Sequence, residues 1–153
     1  MFKKITLSIV VFFLIGCGFT PIYKNSVENK FNIEIIQTSG EKEINRYIES
    51  DFKKYIDNKI QKKIKVSFNT GYSKIPVSKK STGDIRAYKL IATTEFKIDN
   101  GTVEKIIYVT KKLNLNSSEN LFEQKQYEDN IKKNIASLIV NDFIRQLAIS
   151  NDN

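Results

Sequence analysis

Residues 84–115 read DIRAYKLIATTEFKIDNGTVEKIIYVTKKLNL. Two long runs with alternating apolar residues flank one turn signal, Asp99-Asn100-Gly101. Asn and Gly both tolerate the positive φ that a tight hairpin requires, so Asp84–Ile98 and Thr102–Leu115 are predicted as paired strands. Tyr88, Leu90, Ala92, Phe96 and Ile98 share one face of the first. Val103, Ile107, Val109, Leu113 and Leu115 share one face of the second, with Ile106 and Tyr108 blurring the alternation. A sheet covered on one side and partly covered on the other reads this way.

Upstream of the hairpin, Lys63–Tyr72 alternates strictly. Ile64, Val66, Phe68, Thr70 and Tyr72 lie on one face, and Lys63, Lys65, Ser67 and Asn69 on the other. Between that strand and the hairpin, Ile75–Gly83 contains Pro76 and is expected to be a loop carrying Lys79 and Lys80. Farther back, Ile44, Ile48, Phe52 and Tyr55 recur at helical spacing within Glu41–Asn58, with Tyr47 and Ile56 beside them. Ser39 or Gly40 is the expected N-cap, and Glu41 and Glu43 suit the positive end of the helix dipole. Phe31–Thr38 alternates Phe31, Ile33 and Ile35 and is predicted as a first strand.

Downstream, Asn116–Asn120 is a polar break before a long helix, Leu121–Ile149. Its apolar stripe comprises Tyr127, Ile131, Ile135, Leu138, Ile139, Phe143 and Leu147. Steps of four drift by about 40° on an ideal helix, so the stripe spirals, as it must to wrap a twisted sheet. The order strand, helix, three strands, helix predicts an α+β fold: a roughly four-stranded sheet with two helices packed on it. A crossover through the first helix makes the first two strands parallel. Neither an internal repeat nor a second domain is apparent, so residues 30–153 are read as a single α+β domain.

The N-terminus has a different character. Lys3 and Lys4 precede Ile5–Ile15, an uncharged apolar run that stops at Gly16 and Cys17, the single cysteine. A run of eleven residues is too short for a hydrocarbon core that needs about 20. The pattern is that of a secretory signal peptide covering residues 1–16. Leu14-Ile15-Gly16-Cys17 matches the bacterial lipobox, in which the cysteine thiol is diacylglycerylated, the chain is cut before it, and the new amine is usually acylated. Two or three acyl chains anchor stably where one is marginal. Cys17 is thus the expected lipidation site, and residues 17–29 a lipidated tether. A tether does not need Phe19, Ile22 and Tyr23, so these are expected to dock on the domain or on a partner.

Removing 16 of 153 residues leaves a mature chain of one ordinary domain, and 41% hydrophobic residues permit a real core. With Cys17 spent on lipid, no thiol is left for a disulfide, a thiolate metal site or a redox pair. The chain has no histidine, which removes Ser-His and Cys-His nucleophiles and imidazole metal sites. No Gly-rich phosphate loop, Gly-x-Ser-x-Gly elbow or marked carboxylate pair is present. The chain is read as no enzyme, with no metal and no cofactor beyond the lipid on Cys17. The net charge of +8 falls to +6 when Lys3 and Lys4 leave. For an exported lipoprotein such a charge suits phosphorylated glycolipid rather than nucleic acid. Nearly all of it is lysine in a Lys-, Asn- and Ile-rich chain, so simple solubility is the competing explanation.

A lipobox followed at once by Gly18-Phe19-Thr20-Pro21-Ile22-Tyr23 resembles the LPS-assembly lipoprotein family (LptE, also called RlpB), particularly its alphaproteobacterial branch. Mature chains of that family typically begin Cys-Gly-Phe-x-Pro-Leu-Tyr, and here only the leucine is replaced, by Ile22. The short strand, the helix, Arg86 entering a strand, the hairpin and the long last helix agree in outline, while the arginine content is low for the family. The resemblance implies a non-catalytic protein at the inner leaflet of the outer membrane, facing the periplasm. It would plug the LptD β-barrel and help lipopolysaccharide reach the outer leaflet. Lys79, Lys80 and Arg86 around one loop, and Lys111 and Lys112 near a strand end, are the candidates for contact with lipid A phosphates. Lysine meets phosphate as a point charge, without the planar fork of arginine. An auxiliary lipoprotein of an ABC-type envelope transport system is the alternative. A hydrolase working with carboxylates alone is the remote one.

Overall fold

The structure is a computed structural model that describes residues 31–61, 63–99, 101 and 104–151. The signal peptide, Cys17, the tether, Asn100, Thr102 and Val103 lie outside the described residues. The element order is β1 (Asn32–Gly40), α1 (Lys42–Phe52), β2 (Lys63–Lys79), β3 (Ile85–Asp99), β4 (Glu104–Asn116) and α2 (Leu121–Asn151). The strands form one sheet in the order β1-β2-β3-β4. β1 and β2 run parallel, and the other neighbours run antiparallel. This is the predicted α+β architecture.

The alternation seen in the sequence sets the covered face. Ile33 of β1, Ile64, Val66 and Phe68 of β2, Leu90, Ala92, Phe96 and Ile98 of β3, and Ile107, Val109 and Leu115 of β4 are all buried. Both helices pack on this side. Phe52 of α1 and Phe143 of α2 meet over the middle of the sheet, 5.5 Å apart and edge-on. Phe68 and Phe96 complete the cluster beneath them. Each buried aromatic contributes about 1.5–3 kcal/mol by leaving water, plus the edge-to-face contact. Thr70 and Thr94 face each other across β2 and β3 and are fully covered, and their hydroxyls hydrogen-bond to each other at 3.0 Å.

Three boundaries differ from expectation, each for a tertiary reason. The first helix ends at Phe52 rather than Asn58, because residues 55–57 are needed elsewhere. The Phe31 N–H donates to the Tyr55 carbonyl and the Asp57 N–H to the Phe31 carbonyl, both at 2.9 Å. Neither Ser39 nor Gly40 caps the helix; both stay in β1, and Glu41 is the N-cap without a side-chain hydrogen bond. The expected loop at Ile75–Gly83 is mostly strand, since β2 continues to Lys79. Pairing with β1 stops at Gly40 and Thr70, so among the described residues β2 has a neighbour on one side only from Gly71 onward. A proline lacks the N–H for a second ladder, and such an edge tolerates it. Two register shifts after Pro76 lead into the turn, where the Lys80 N–H bonds the Asp84 carbonyl.

The last helix has a broader buried face than its predicted stripe. Ala136, Val140 and Ile144 join Ile131, Ile135, Ile139, Phe143 and Leu147, whereas Tyr127 and Leu138 are exposed. A helix facing both a sheet and a second helix buries a wider arc than one facing a single wall. Asn120 starts it, with its Oδ1 accepting from the N–H groups of Phe122 and Glu123. No helix among the described residues is long and apolar enough to cross a membrane.

Candidate functional site

No described element covers the second face of the sheet. Ser67 and Asn69 of β2, Thr93, Glu95 and Lys97 of β3, and Tyr108, Thr110 and Lys112 of β4 lie along it by strand parity. The hydroxyls of Thr93 and Thr110 hydrogen-bond at 2.9 Å. Tyr108 is 62% exposed. A hydrogen bond to Glu95 and the charge of that carboxylate raise its phenol above the usual tyrosine range. The phenol thus stays neutral and offers an aromatic ring on a polar surface.

The distal end of the sheet is where β2 turns into β3 and the chain enters α2. The Ser117 N–H donates to the Arg86 carbonyl at 2.9 Å. Lys80 Nζ lies 3.1 Å from Glu119 Oε1. These contacts bring residues 117–119 against the β2–β3 turn. Lys79, Lys80 and Arg86 are all exposed there. Ile75, Val77, Leu121 and Phe122 are exposed at the same end, Phe122 by 75%. Apolar and cationic side chains together suit an amphiphile that carries phosphate.

The other two cationic candidates lie elsewhere. Lys111 is on the helix-covered side, paired with Asp142 of α2, which Arg145 also holds at 2.6 Å. Lys112 is on the open face. Its partner Ile91 is four residues along β3 from Ala87, about 13 Å. The five candidates therefore form no single patch. Lys79, Lys80 and Arg86 are together, Lys112 stands apart, and Lys111 is bound to α2.

A charged network missed in the sequence joins the helices to the sheet. Lys132 of α2 is 8% exposed. Its Nζ sits 2.5 Å from Glu43, 3.3 Å from Glu41 and 4.0 Å from Glu128, over the ring of Tyr72. The Tyr72 hydroxyl donates to Glu128 at 2.8 Å, and Lys74 Nζ lies 2.6 Å from the other oxygen of that carboxylate. Burial alone lowers the Lys132 ammonium, but Glu43 and Glu41 outweigh it and raise it. Burial alone raises Glu128, and its contacts with Lys74 and Tyr72 outweigh that and hold it low. The hydrogen bond and charge of Lys132 hold Glu43 low. Burial, then Glu128, pushes the Tyr72 phenol far up. The i,i+4 pair Glu128–Lys132 was legible in the sequence; its partners Glu41 and Glu43, some 90 residues away, were not.

Similarity to solved structures follows the fold. The rare lipoprotein B of Shewanella oneidensis superposes with a TM-score of 0.55 at 15% identity, covering 78% of this chain and 96% of that one. The lipoprotein B of Nitrosomonas europaea gives 0.52 at 16%, covering 81% and 88%. A minor lipoprotein of Acinetobacter baumannii gives 0.50 at 10%, covering 75% and 94%. The chain has the rare lipoprotein B fold. Identities this low speak to the fold alone, and the fold is the one implied by the N-terminal resemblance. No protein-family model matches the sequence, and no curated protein does.

Proposed function

We propose that the chain is a lipoprotein, anchored through acyl chains on Cys17 at the periplasmic face of the outer membrane. In this reading it plugs the LptD β-barrel, supports its assembly and helps deliver lipopolysaccharide to the outer leaflet. The observation that carries it is the rare lipoprotein B fold in a chain whose sequence reads Cys17-Gly18-Phe19-Thr20-Pro21-Ile22-Tyr23 upstream of it. Barrel lumens are polar. A plug accordingly needs a broad polar surface with a few aromatic anchors, which the open face with Tyr108 supplies. Lys79, Lys80 and Arg86 beside Phe122 would meet lipid A phosphates and acyl chains. The protein does this by binding and wedging, without catalysis.

Depletion in the native host tests the reading. Loss of the protein should lower the level of the barrel and thin surface lipopolysaccharide. Normal surface lipopolysaccharide, together with copurification of a periplasmic ABC-transport component, would establish the auxiliary-lipoprotein alternative instead.

A further inference from the structure

β1 contains a bulge. Ile35 pairs with Val66 and Gln37 with Ser67, so Ile36 is the extra residue, and it is 60% exposed. Bulges commonly blunt a sheet edge against unwanted pairing, and polar or charged side chains serve that purpose. An isoleucine presented outward works against it. Ile36 also divides two grooves. One, of about 370 Å³, runs along the outer side of β1 past Ile35 and Ile56, with Glu49 and Lys53 at its rim. The other, of about 360 Å³, crosses the open face from Ile36 to Ile106 over Lys65 and Lys97.

We propose that the tether itself covers this surface, with Phe19, Ile22 and Tyr23 packed on Ile36 and in the grooves beside it. The described chain begins at Phe31, which bridges to Ile56, a residue lining the first groove. Eight residue steps separate Tyr23 from Phe31, a reach of about 27 Å. Ile36 is five steps up the strand, about 17 Å away. The tether is therefore long enough to turn back and lie along β1. Being part of the chain, it is present at the millimolar effective concentration of a short linker, which a free partner must exceed. Its three large side chains, unneeded in a spacer, then have a role. Phe19 is two residues from Cys17, so docking holds the β1 edge close to the lipid. The docking itself rests only on the tether and the grooves; the placement relative to the membrane rests in addition on lipidation.

A photo-reactive phenylalanine at Ile36 in the membrane-extracted lipoprotein tests the proposal. After irradiation and digestion, the main product should be intrachain, joining position 36 to the peptide spanning residues 18–24. Phe19→Ser with Tyr23→Ser should reduce it at least about fivefold, the scale of losing an aromatic anchor. The same probe at Ser73 should not label the tether. Labelling at position 36 of a second copy or of another protein in place of the tether overturns the proposal. So does the absence of the intrachain product while a probe at Tyr55 still labels α2 near Asn141, its hydrogen-bond partner. The mass of the N-terminal peptide reports lipidation separately, so failure of the anchor is told apart from failure of docking.

Discussion

Gly40 is the residue on which the β1–α1 corner depends. Its φ is +89°, and a Cβ there would lie 2.1 Å from the Thr70 carbonyl oxygen. That oxygen also accepts the Glu41 N–H that begins the helix. Relief would have to come from two backbones, so Gly40→Ala should cost about 2 kcal/mol or more in urea unfolding. Gly101→Ala, with a similar φ but open space around it, should cost about 1 kcal/mol. Lys132 is the second such residue. Lys132→Met leaves Glu41, Glu43 and Glu128 without their shared cation and should cost about 1–3 kcal/mol, less than a fully buried pair because the carboxylates are partly wet. The pH dependence has two limits. Glu43 and Glu128 are held below their unfolded values, so their contribution is present above the ordinary carboxylate range and is lost as pH falls through the lowered values. Lys132 is raised, so its contribution is full below the ordinary lysine range and is lost as pH climbs through the raised value. Wild type should lose stability at both ends relative to Lys132→Met, with the gap widest near neutrality.

Among the elements, α2 shows what periodicity can and cannot give. Its existence and most of its buried positions follow from a 3.6-residue spacing, but the width of the buried arc depends on α1 packing beside it, which no local window contains. Phe143→Ala should cost about 3–5 kcal/mol, as it opens the centre of the aromatic cluster. Leu138→Ala, on the exposed side, should stay within about 0.5 kcal/mol. Thermal or urea unfolding of the two variants checks this directly. β2 failed in the opposite way. Pro76 reads as a break in isolation, and only the short reach of β1 makes Gly71–Lys79 an edge where proline fits. Strand alternation, by contrast, named the covered face of β2, β3 and β4 almost residue by residue, because burial against helices acts on every second position. The candidate site was less legible. Lys79, Lys80 and Arg86 converge as their spacing around one turn implied, but neighbours in sequence on a strand point to opposite faces, which separates Lys111 from Lys112.

At the scale of the whole molecule, the charge at the distal end and the polar open face make separate claims. Replacing Lys79, Lys80 and Arg86 by Glu should weaken lipopolysaccharide binding, and the loss should shrink as salt rises, because exposed charges are screened within about 8 Å at physiological ionic strength. Unfolding midpoints should barely change, since exposed ion pairs contribute about 0–1 kcal/mol. Unchanged binding at low salt would leave the lysines as agents of solubility. Anchoring is read by intact mass: the extracted protein should begin at an acylated Cys17, and Cys17→Ala should release or leave unprocessed a folded domain. The central claim, a plug within a barrel, is tested most directly by photo-crosslinkers at Lys79, Tyr108 and Ser117 in cells. All three should capture one β-barrel protein of high mass, and a probe at the buried Ile135 should capture nothing. Capture of a periplasmic ABC-transport component by the three exposed sites would contradict it.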